Sequence, residues 1–421
     1  MLNLLLLKNI AEKNIFSYAW KSIMNIFYIP SWYPGKYSSY AGIFFKEQAL
    51  AIGKLYSKNK IFINLWGHED FALHPKRPYE SLIKIQERYK IKSFLRSIGP
   101  NVWEIYEPRL SWSHKILKGN IANIILASVN NFRKIEKQFG HTDLIHAQVS
   151  FPAGYIAWKL SQYFEIPYVI SEHMGPFPFK EFIENGKLSE IIRKPLKNAR
   201  AISAVSPRLK KQMEKFGIRN IEVIPNMVDE SFFRPGVKKK KDNTFVLFCL
   251  ADITEEKGIG DLIQAATRIA EKYKNVLFRI GGSGENMSYY QKMAKSMGVE
   301  KYIKWLGRLS RDEVRKEFQT ADAFILPSHF ESFSMVIAEA LVSGLPVIAT
   351  RSGGPESMIN KKNGLLVDVG DIKGMVENIL KIMNNEISYE SLKIRNEFLK
   401  KFSKKITADK IINIYKKTCA E

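Results

Sequence analysis

AFILPSHFESFSMVIAEALVSGLPVIATRSGGPESMINKKNG, residues 323–364, is the stretch that decides the fold. An apolar run ends at Leu326 and gives way to a loop with turn chemistry. Ser334 reads as an N-cap, and residues 336–343 carry apolar side chains at helical spacing. A second apolar run follows at 346–350. Strand, helix and strand in that order predict a right-handed βαβ unit in a parallel sheet covered on both faces. Ser352-Gly353-Gly354-Pro355-Glu356 repeats the strand-to-helix geometry, with glycines that would let a ligand approach the backbone.

The same alternation extends both ways. Toward the N-terminus, strands are expected at 303–306, 276–281 and 245–250, with a helix over 260–272, and another strand lies beyond at 365–368. Residues 225–242 break the pattern with two prolines, a glycine and the run Lys238-Lys239-Lys240-Lys241, which suits a linker whose lysines are a solvated spacer. A first series precedes it, with strands at 24–29, 61–66, 102–106, 143–147, 167–171, 201–205 and 221–224 and helices over 44–55 and 121–139. The expected architecture is α/β, two Rossmann-like, doubly wound parallel-sheet domains facing across a cleft. The first would span 24–230 and the second 231–399. A helix over 400–417, with Ile411, Ile412, Ile414 and Tyr415 on one face, would cross back to the first domain. Residues 1–23 read as an extension: either Met24 is the initiator, or the extension is an appended amphipathic helix. Ligands of such sheets sit beyond the carboxyl ends of the strands, which puts the site in the cleft.

Composition narrows the class. The chain has 421 residues, 45% hydrophobic and 25% charged, enough for two or three domains and unlike disordered or collagen-like chains. Its two cysteines, Cys249 and Cys419, lack CxxC spacing, which argues against a disulfide framework or structural zinc and for a reducing compartment. No run reaches the roughly 18–20 apolar residues of a membrane span, and residues 2–7 lack the flanks of a signal peptide. A cytoplasmic protein is expected. With 65 Lys plus Arg against 42 Asp plus Glu, the net charge is +23. That excess fits nucleic acid, an anionic membrane surface or a phosphorylated substrate, or simply a lysine-rich surface.

Candidate site residues fall at strand ends. Glu331 lies in the loop before the helix that Ser334 caps, and Glu339 lies on it. Unpaired amides at such a helix start (Ser334, Met335, Val336) favour a diphosphate, while the carboxylates could bind sugar or ribose hydroxyls. Either Glu alone could equally serve the helix dipole. Lys257, in Thr254-Glu255-Glu256-Lys257-Gly258, could bind phosphate as a point charge. Gly281-Gly282-Ser283-Gly284-Glu285 lacks GxGxxG order and fits a strand-end loop pressed against a ligand. His146 and His173 follow first-domain strands; His68, His74, His114, His141 and His329 show no metal-ligand spacing.

Taken together, these segments resemble glycosyltransferase family 4, the retaining GT-B family. The resemblance rests on the E-x7-E spacing of Glu331 and Glu339, on MNIFYIPSWYP…GIFFKEQAL over 24–50, and on residues 143–146. Ser171-Glu172-His173, IPNMVDESFF over 224–233, Lys257-Gly258 and residues 305–307 continue it in order, so that it covers roughly 24–400. It implies that Gly42 faces the donor diphosphate and that His173 lies near the reaction centre. It implies too that Lys257 neutralises the diphosphate, with Gly282 in the donor loops, Glu331 on the donor sugar and Glu339 on the ribose. His173 and Glu331 would be the catalytic pair. No metal or other cofactor is implied, and no Asp-x-Asp motif is present. The implied reaction is same-face attack, assisted by the departing phosphate, on a nucleotide-diphosphate sugar. Its acceptor would be a glycan or a lipid-linked glycan of surface polysaccharide or lipopolysaccharide, and nucleic acid is not an expected partner. Two features depart from the family: Ala251-Asp252 stands where Gly-Arg is usual, and Met227 where Gly is usual. The first leaves the phosphate clamp short of a base. It keeps open a basic membrane- or polyanion-binding protein with a degenerate site, and an epimerase on the same fold is a third reading. Residues 79–112 mix Tyr89, Phe94, Trp103, Tyr106 and Trp112 with Lys84, Lys90, Lys92 and Arg96, either as a membrane contact or as an ordinary helix and strand with basic faces.

Overall fold

The computed structural model describes residues 23–35, 40–66, 78–109, 117–236 and 243–420. Residues 1–22 of the extension, the Lys238–Lys241 run and Trp112 lie outside them. The first half supplies Asn25–Pro30 (β1), Lys60–Leu65 (β2), Phe94–Gly99 (β3), Val102–Tyr106 (β4), Leu144–Gln148 (β5) and Tyr168–Glu172 (β6). A small separate hairpin, Ile183–Glu184 (β7) with Lys187–Leu188 (β8), precedes Ala201–Ala204 (β9) and Ile221–Val223 (β10). Eight of these strands form one sheet in the order β10-β9-β6-β5-β1-β2-β4-β3. Ile26, Phe27, Tyr28 and Ile29 of β1 are all fully buried, as a strand covered on both faces requires. Every pairing in the sheet is parallel except β3 with β4.

The second half forms a six-stranded, all-parallel sheet from Phe245–Leu250 (β11), Val276–Gly281 (β12), Ile303–Gly307 (β13), Ala323–Leu326 (β14), Val347–Thr350 (β15) and Gly364–Val367 (β16). Their order is β13-β12-β11-β14-β15-β16. One face of this sheet, with Leu247, Cys249 and Ile348, shares a core with the helices Ile259–Lys272 and Ile372–Met383. On the other face Phe248 and Phe324 pack edge-on to Phe318, which meets Phe233 from the connecting segment.

That segment is pinned rather than loose where it is described. The Arg395 guanidinium donates to the carbonyls of Phe233 at 2.9 Å and Glu230 at 2.6 Å, and the Lys404 ammonium donates to Asp229 at 2.6 Å. The single helix expected over 400–417 is two, Ser391–Phe402 and Lys404–Ala420. Ser403 adopts an extended conformation between them, and its hydroxyl accepts from the Ile406 amide at 3.3 Å, as a new N-cap does. The second helix lies on the first sheet, where the Tyr415 hydroxyl meets His146 Nδ1 at 2.6 Å and the Cys419 thiol reaches the Asp143 carbonyl.

Among the described aromatic side chains at 79–112, Phe94, Trp103 and Tyr106 pack against neighbours of the first sheet. Trp103 stacks on Phe62, and Phe94 stacks on Tyr106. Arg96 and Lys46 both pair with the buried Glu104 carboxylate, at 2.6 and 3.1 Å. What remains outside is the helix Pro78–Tyr89, with Tyr79, Leu82 and Ile83 exposed.

Candidate active site between the two sheets

Lys257 and Glu331, 74 residues apart, meet at the carboxyl ends of β11 and β14, with Lys257 Nζ 2.8 Å from Glu331 Oε1. Lys257 ends a short 3₁₀ turn, and Gly258 in left-handed conformation hands that turn to the helix Ile259–Lys272. Glu331 is tied by its backbone to the loop after β15: its amide donates to the Ser352 carbonyl at 3.1 Å, and its carbonyl accepts from Gly354 at 2.8 Å. Gly353 has φ 128°, and a Cβ there would lie 2.6 Å from the Glu331 carbonyl oxygen. A Cβ on Gly354 would lie 2.4 Å from the Phe333 carbonyl oxygen. These glycines therefore let two loops close on each other, a correction to their reading as room for a ligand. Gly282 has the same kind of reason: a Cβ would sit 1.8 Å from the Ala251 carbonyl oxygen, and its amide donates to Gly307 at 2.7 Å. It binds together the ends of β11, β12 and β13. Asp252, nearby, is exposed and makes no ion pair among the described residues.

Ser334 does precede the helix Met335–Val342, but at φ 77° its hydroxyl caps nothing. Among the described residues the buried Ser334 hydroxyl has no partner, and it does not cap the first-turn amides at Met335 and Val336. Such a helix start favours an anion. Glu339 lies one turn further on. Burial pushes its carboxyl up to about 8 against the pull of Arg311, and the Glu47 carboxylate adds to the rise.

Arg311 is the residue that sequence reasoning missed. It opens the helix Arg311–Thr320, which Ser310 and Glu313 close with a reciprocal capping box. Its guanidinium pairs with Glu47 on the first-domain helix Ile43–Leu55, lies 3.7 Å from Asp229 Oδ2 and sits over the Phe232 and Phe233 rings. Burial works against ionisation of Asp229, but Lys404 and Ser231 outweigh it and hold the carboxyl at about 2. Arg308 faces the same way, its guanidinium 5.0 Å over the Tyr40 ring. Charges of both domains thus interlock beside Glu339.

The opposite wall belongs to the first sheet. Gly42, in left-handed conformation, starts the helix Ile43–Leu55, and Phe44 and Phe45 of that helix pack on the His173 ring. His173 follows β6, is nearly buried, and has Nε2 2.7 Å from Gln148 Oε1. Burial, helped by the neighbouring His146 and opposed by Asn226, depresses it to about 3, so the ring is neutral. Two residues on, Gly175 abuts Phe330 and Ser332, the residues flanking Glu331. His173 and the Lys257–Glu331 pair therefore sit on loops that touch across the cleft. Glu172 is fully buried and accepts the amides of Ser150, His173 and Met174 at 2.9–3.0 Å, which fixes the loop that carries His173. Among the described residues, no group of three or more His, Cys, Asp or Glu is arranged to hold a metal ion, and no helix is long and apolar enough to cross a membrane.

Comparison with known proteins agrees with this geometry. Residues 230–398 match the family described as Glycosyl transferases group 1, and residues 104–232 match Glycosyltransferase Family 4. An uncharacterized glycosyltransferase of Methanocaldococcus jannaschii is 30% identical over 272 residues, 64% of this chain and 73% of that protein. A putative teichuronic acid biosynthesis glycosyltransferase of Bacillus subtilis is 24% identical over 374 residues, 86% of this chain and 90% of that one. The match to the 2-deoxystreptamine N-acetyl-D-glucosaminyltransferase of Niallia circulans, 30% identical over 173 residues, spans 40% of this chain and 44% of that protein. Among solved structures, Anabaena HepE in complex with UDP-glucose matches with a TM-score of 0.62 at 17% identity, over 93% of this chain and 99% of that one. At that identity the likeness speaks for the fold.

Proposed function

The chain belongs to the glycosyltransferases of the GT-B, family 4 type, and on that premise we propose that it is a retaining hexosyltransferase. It would move a sugar from a nucleotide-diphosphate sugar to a glycan or lipid-linked acceptor in surface polysaccharide or lipopolysaccharide biosynthesis. The observation that carries this reading is the Lys257–Glu331 pair beside the uncapped start of Met335–Val342. A cation and free amides there would stabilise the diphosphate as the C1–O bond breaks, which is where electrostatic catalysis has most to offer. Glu331 would hold the donor sugar, Glu339 the ribose, and His173 would face the sugar from the first domain. The acceptor hydroxyl attacks C1 on the face that the leaving group departs from, and its proton passes to the departing phosphate oxygen. Lys257 and the helix amides supply the countercharge, so no metal is required. The name of the Bacillus subtilis relative, and the UDP-glucose bound to the Anabaena protein, support a glycan pathway and a nucleotide-sugar donor.

The test is a screen of UDP-, GDP- and ADP-sugars for thermal stabilisation, followed by transfer assays. A true donor at 100 times its dissociation constant adds roughly 2.7 kcal/mol. Transfer should give a product of unchanged anomeric configuration and should persist in EDTA. Stabilisation by none of these sugars, an inverted product, or activity lost to EDTA and restored by Mn²⁺ would each count against the proposal.

For a lipid-linked acceptor, the exposed Tyr79, Leu82 and Ile83 of Pro78–Tyr89, followed by the exposed Lys90 and Lys92, are the surface proposed to meet an anionic membrane. Each lysine near such a surface contributes about 1 kcal/mol. Sedimentation with anionic vesicles should be strong at low salt and fall as salt shortens the screening length toward about 8 Å and below. No binding to anionic vesicles at low salt would point to a soluble acceptor.

A further inference from the structure

The ion pair at the carboxyl ends of β11 and β14 brings no net charge to a leaving diphosphate. Lys257 and Glu331 cancel at 2.8 Å, and Asp252 and Glu356, in loops at the ends of the same sheet, are exposed carboxylates. Glu356 also accepts from the Gly353 amide at 2.8 Å, which takes one loop N–H away from a ligand. Three second-domain arginines near these strand ends are engaged elsewhere. Arg311 pairs with Glu47, Arg308 lies 5.0 Å over the Tyr40 ring, and Arg351 is 3.4 Å from Asp368. Charge that develops on a phosphate oxygen is best met by preorganised positive groups, and the second domain leaves that set incomplete.

Arg208 of the first domain completes it. Its helix, Pro207–Lys215, follows the carboxyl end of β9, with the Ser206 hydroxyl accepting from the Leu209 amide at 3.2 Å and Pro207 in the first turn. Ser206 is fully buried, and the Val205 amide donates to the Glu172 carbonyl at 3.3 Å, which fixes this helix start to the end of β6. From there the Arg208 side chain crosses to the second domain. A Cβ built on Gly353 would lie 2.8 Å from Arg208 Cδ and 3.2 Å from its Nε, and 2.6 Å from the Glu331 carbonyl oxygen. Arg208 and the Glu331 loop thus border the same point. The next residue, Gly354, presses on Phe333, which leads into Ser334 and the uncapped start of Met335–Val342. Arg208 is exposed and makes no ion pair among the described residues. Its own helix gains nothing from it, because a cation in the first turn opposes the dipole. A bound anion would relieve that conflict and use the fork of guanidinium N–H donors.

We infer that Arg208 is a first-domain binding residue for the donor diphosphate, and that it supplies the net positive charge which the Lys257–Glu331 pair lacks. As the C1–O bond breaks, the electron pair stays on the phosphate oxygen, and the guanidinium meets that oxygen with N–H groups that it keeps. The inference rests on the transferase reading for the identity of the donor, but diphosphate binding can be measured without any transfer.

Calorimetric titration with UMP and UDP, and with the GMP–GDP and AMP–ADP pairs for the other bases, isolates the second phosphate. In the wild-type protein the diphosphate of one pair should bind more tightly than its monophosphate. Arg208→Gln should weaken that diphosphate about 10- to 100-fold, the equivalent of hydrogen bonds to a charged group, and the monophosphate by less than about threefold. Arg208→Lys keeps the charge but loses the fork, and should fall between the two. The side chain is exposed, so the melting temperature of unliganded Arg208→Gln should not fall, which separates lost binding from lost folding. Equal affinity of the wild-type protein and Arg208→Gln for the diphosphate would overturn the inference. So would unchanged nucleotide binding with a raised KM for the acceptor, since Arg208 would then serve an acceptor phosphate. Diphosphate binding that depends on Arg208, in a protein that transfers sugar from no nucleotide donor, would instead defeat the transferase reading and leave the binding assignment standing.

Discussion

Lys257→Ala should slow sugar transfer at saturating donor by about 100- to 1,000-fold, the loss typical when one preorganised group facing a developing anion is removed. The effect should be large because the lysine is not a free surface charge. Its ammonium is 2.8 Å from Glu331 Oε1, and the two side chains are only 27% and 12% exposed. Removing the lysine therefore does two things at once: it takes the countercharge from the diphosphate and leaves an unpaired carboxylate beside it. The second part predicts non-additivity. Lys257→Ala combined with Glu331→Gln should be less impaired than the product of the two single effects, because the unpaired carboxylate is gone. Steady-state kinetics of the two single variants and the double variant check this. A lysine variant within about threefold of wild type would remove Lys257 from the diphosphate site.

Much of this arrangement was legible in the sequence, and the reasons differ from element to element. Val102–Tyr106, Phe245–Leu250, Val276–Gly281 and Ala323–Leu326 match the expected runs residue for residue: Phe245–Leu250 and Ala323–Leu326 are unbroken apolar stretches, and the other two are interrupted by one charged residue each, Glu104 and Arg279. Phe94–Gly99 was not separated from its neighbours. It is an antiparallel edge strand with Arg96 and Ser97 exposed, so its pattern is mixed. The spacing of Glu331 and Glu339 was visible, and so was a lysine at a strand end, but their mutual contacts are products of folding. Arg311 sat in a charged run that reads as helix surface, and its partner Glu47 is 264 residues away. The glycines show a different limit. A sequence shows that a backbone must be approached closely, but not whether a ligand or a neighbouring loop does so. At Gly282 and Gly353 the neighbour is protein.

Donor affinity should rise with pH, and Glu339 is the reason. Burial lifts its carboxyl from the ordinary 4.5 to about 8, so in the unliganded protein it is mostly protonated at neutral pH. Both ribose hydroxyls are donors, and a carboxylate accepts from them better than a carboxylic acid does. Binding must then release a proton, and each pH unit below the pKa costs up to tenfold in affinity. Between about pH 6.5 and 8.5, binding of a UDP-sugar, whose diphosphate does not titrate there, should tighten by about tenfold or more. The sign for stability is the reverse. The folded-state pKa lies above the unfolded value, so folding takes up a proton, and this group's contribution falls as pH rises from 4.5 toward 8 and then levels off. Glu339→Gln should abolish both trends. At pH 8.5 it should also bind the donor about 10- to 100-fold more weakly, the worth of hydrogen bonds to a charged group. Arg311→Gln should move the rise in affinity to higher pH, because the guanidinium is the charge that opposes the effect of burial on Glu339. Calorimetric titrations in buffers of different ionisation enthalpy count the released proton directly. An affinity that stays flat across this range in the wild-type protein would mean that Glu339 does not receive the ribose as a carboxylate.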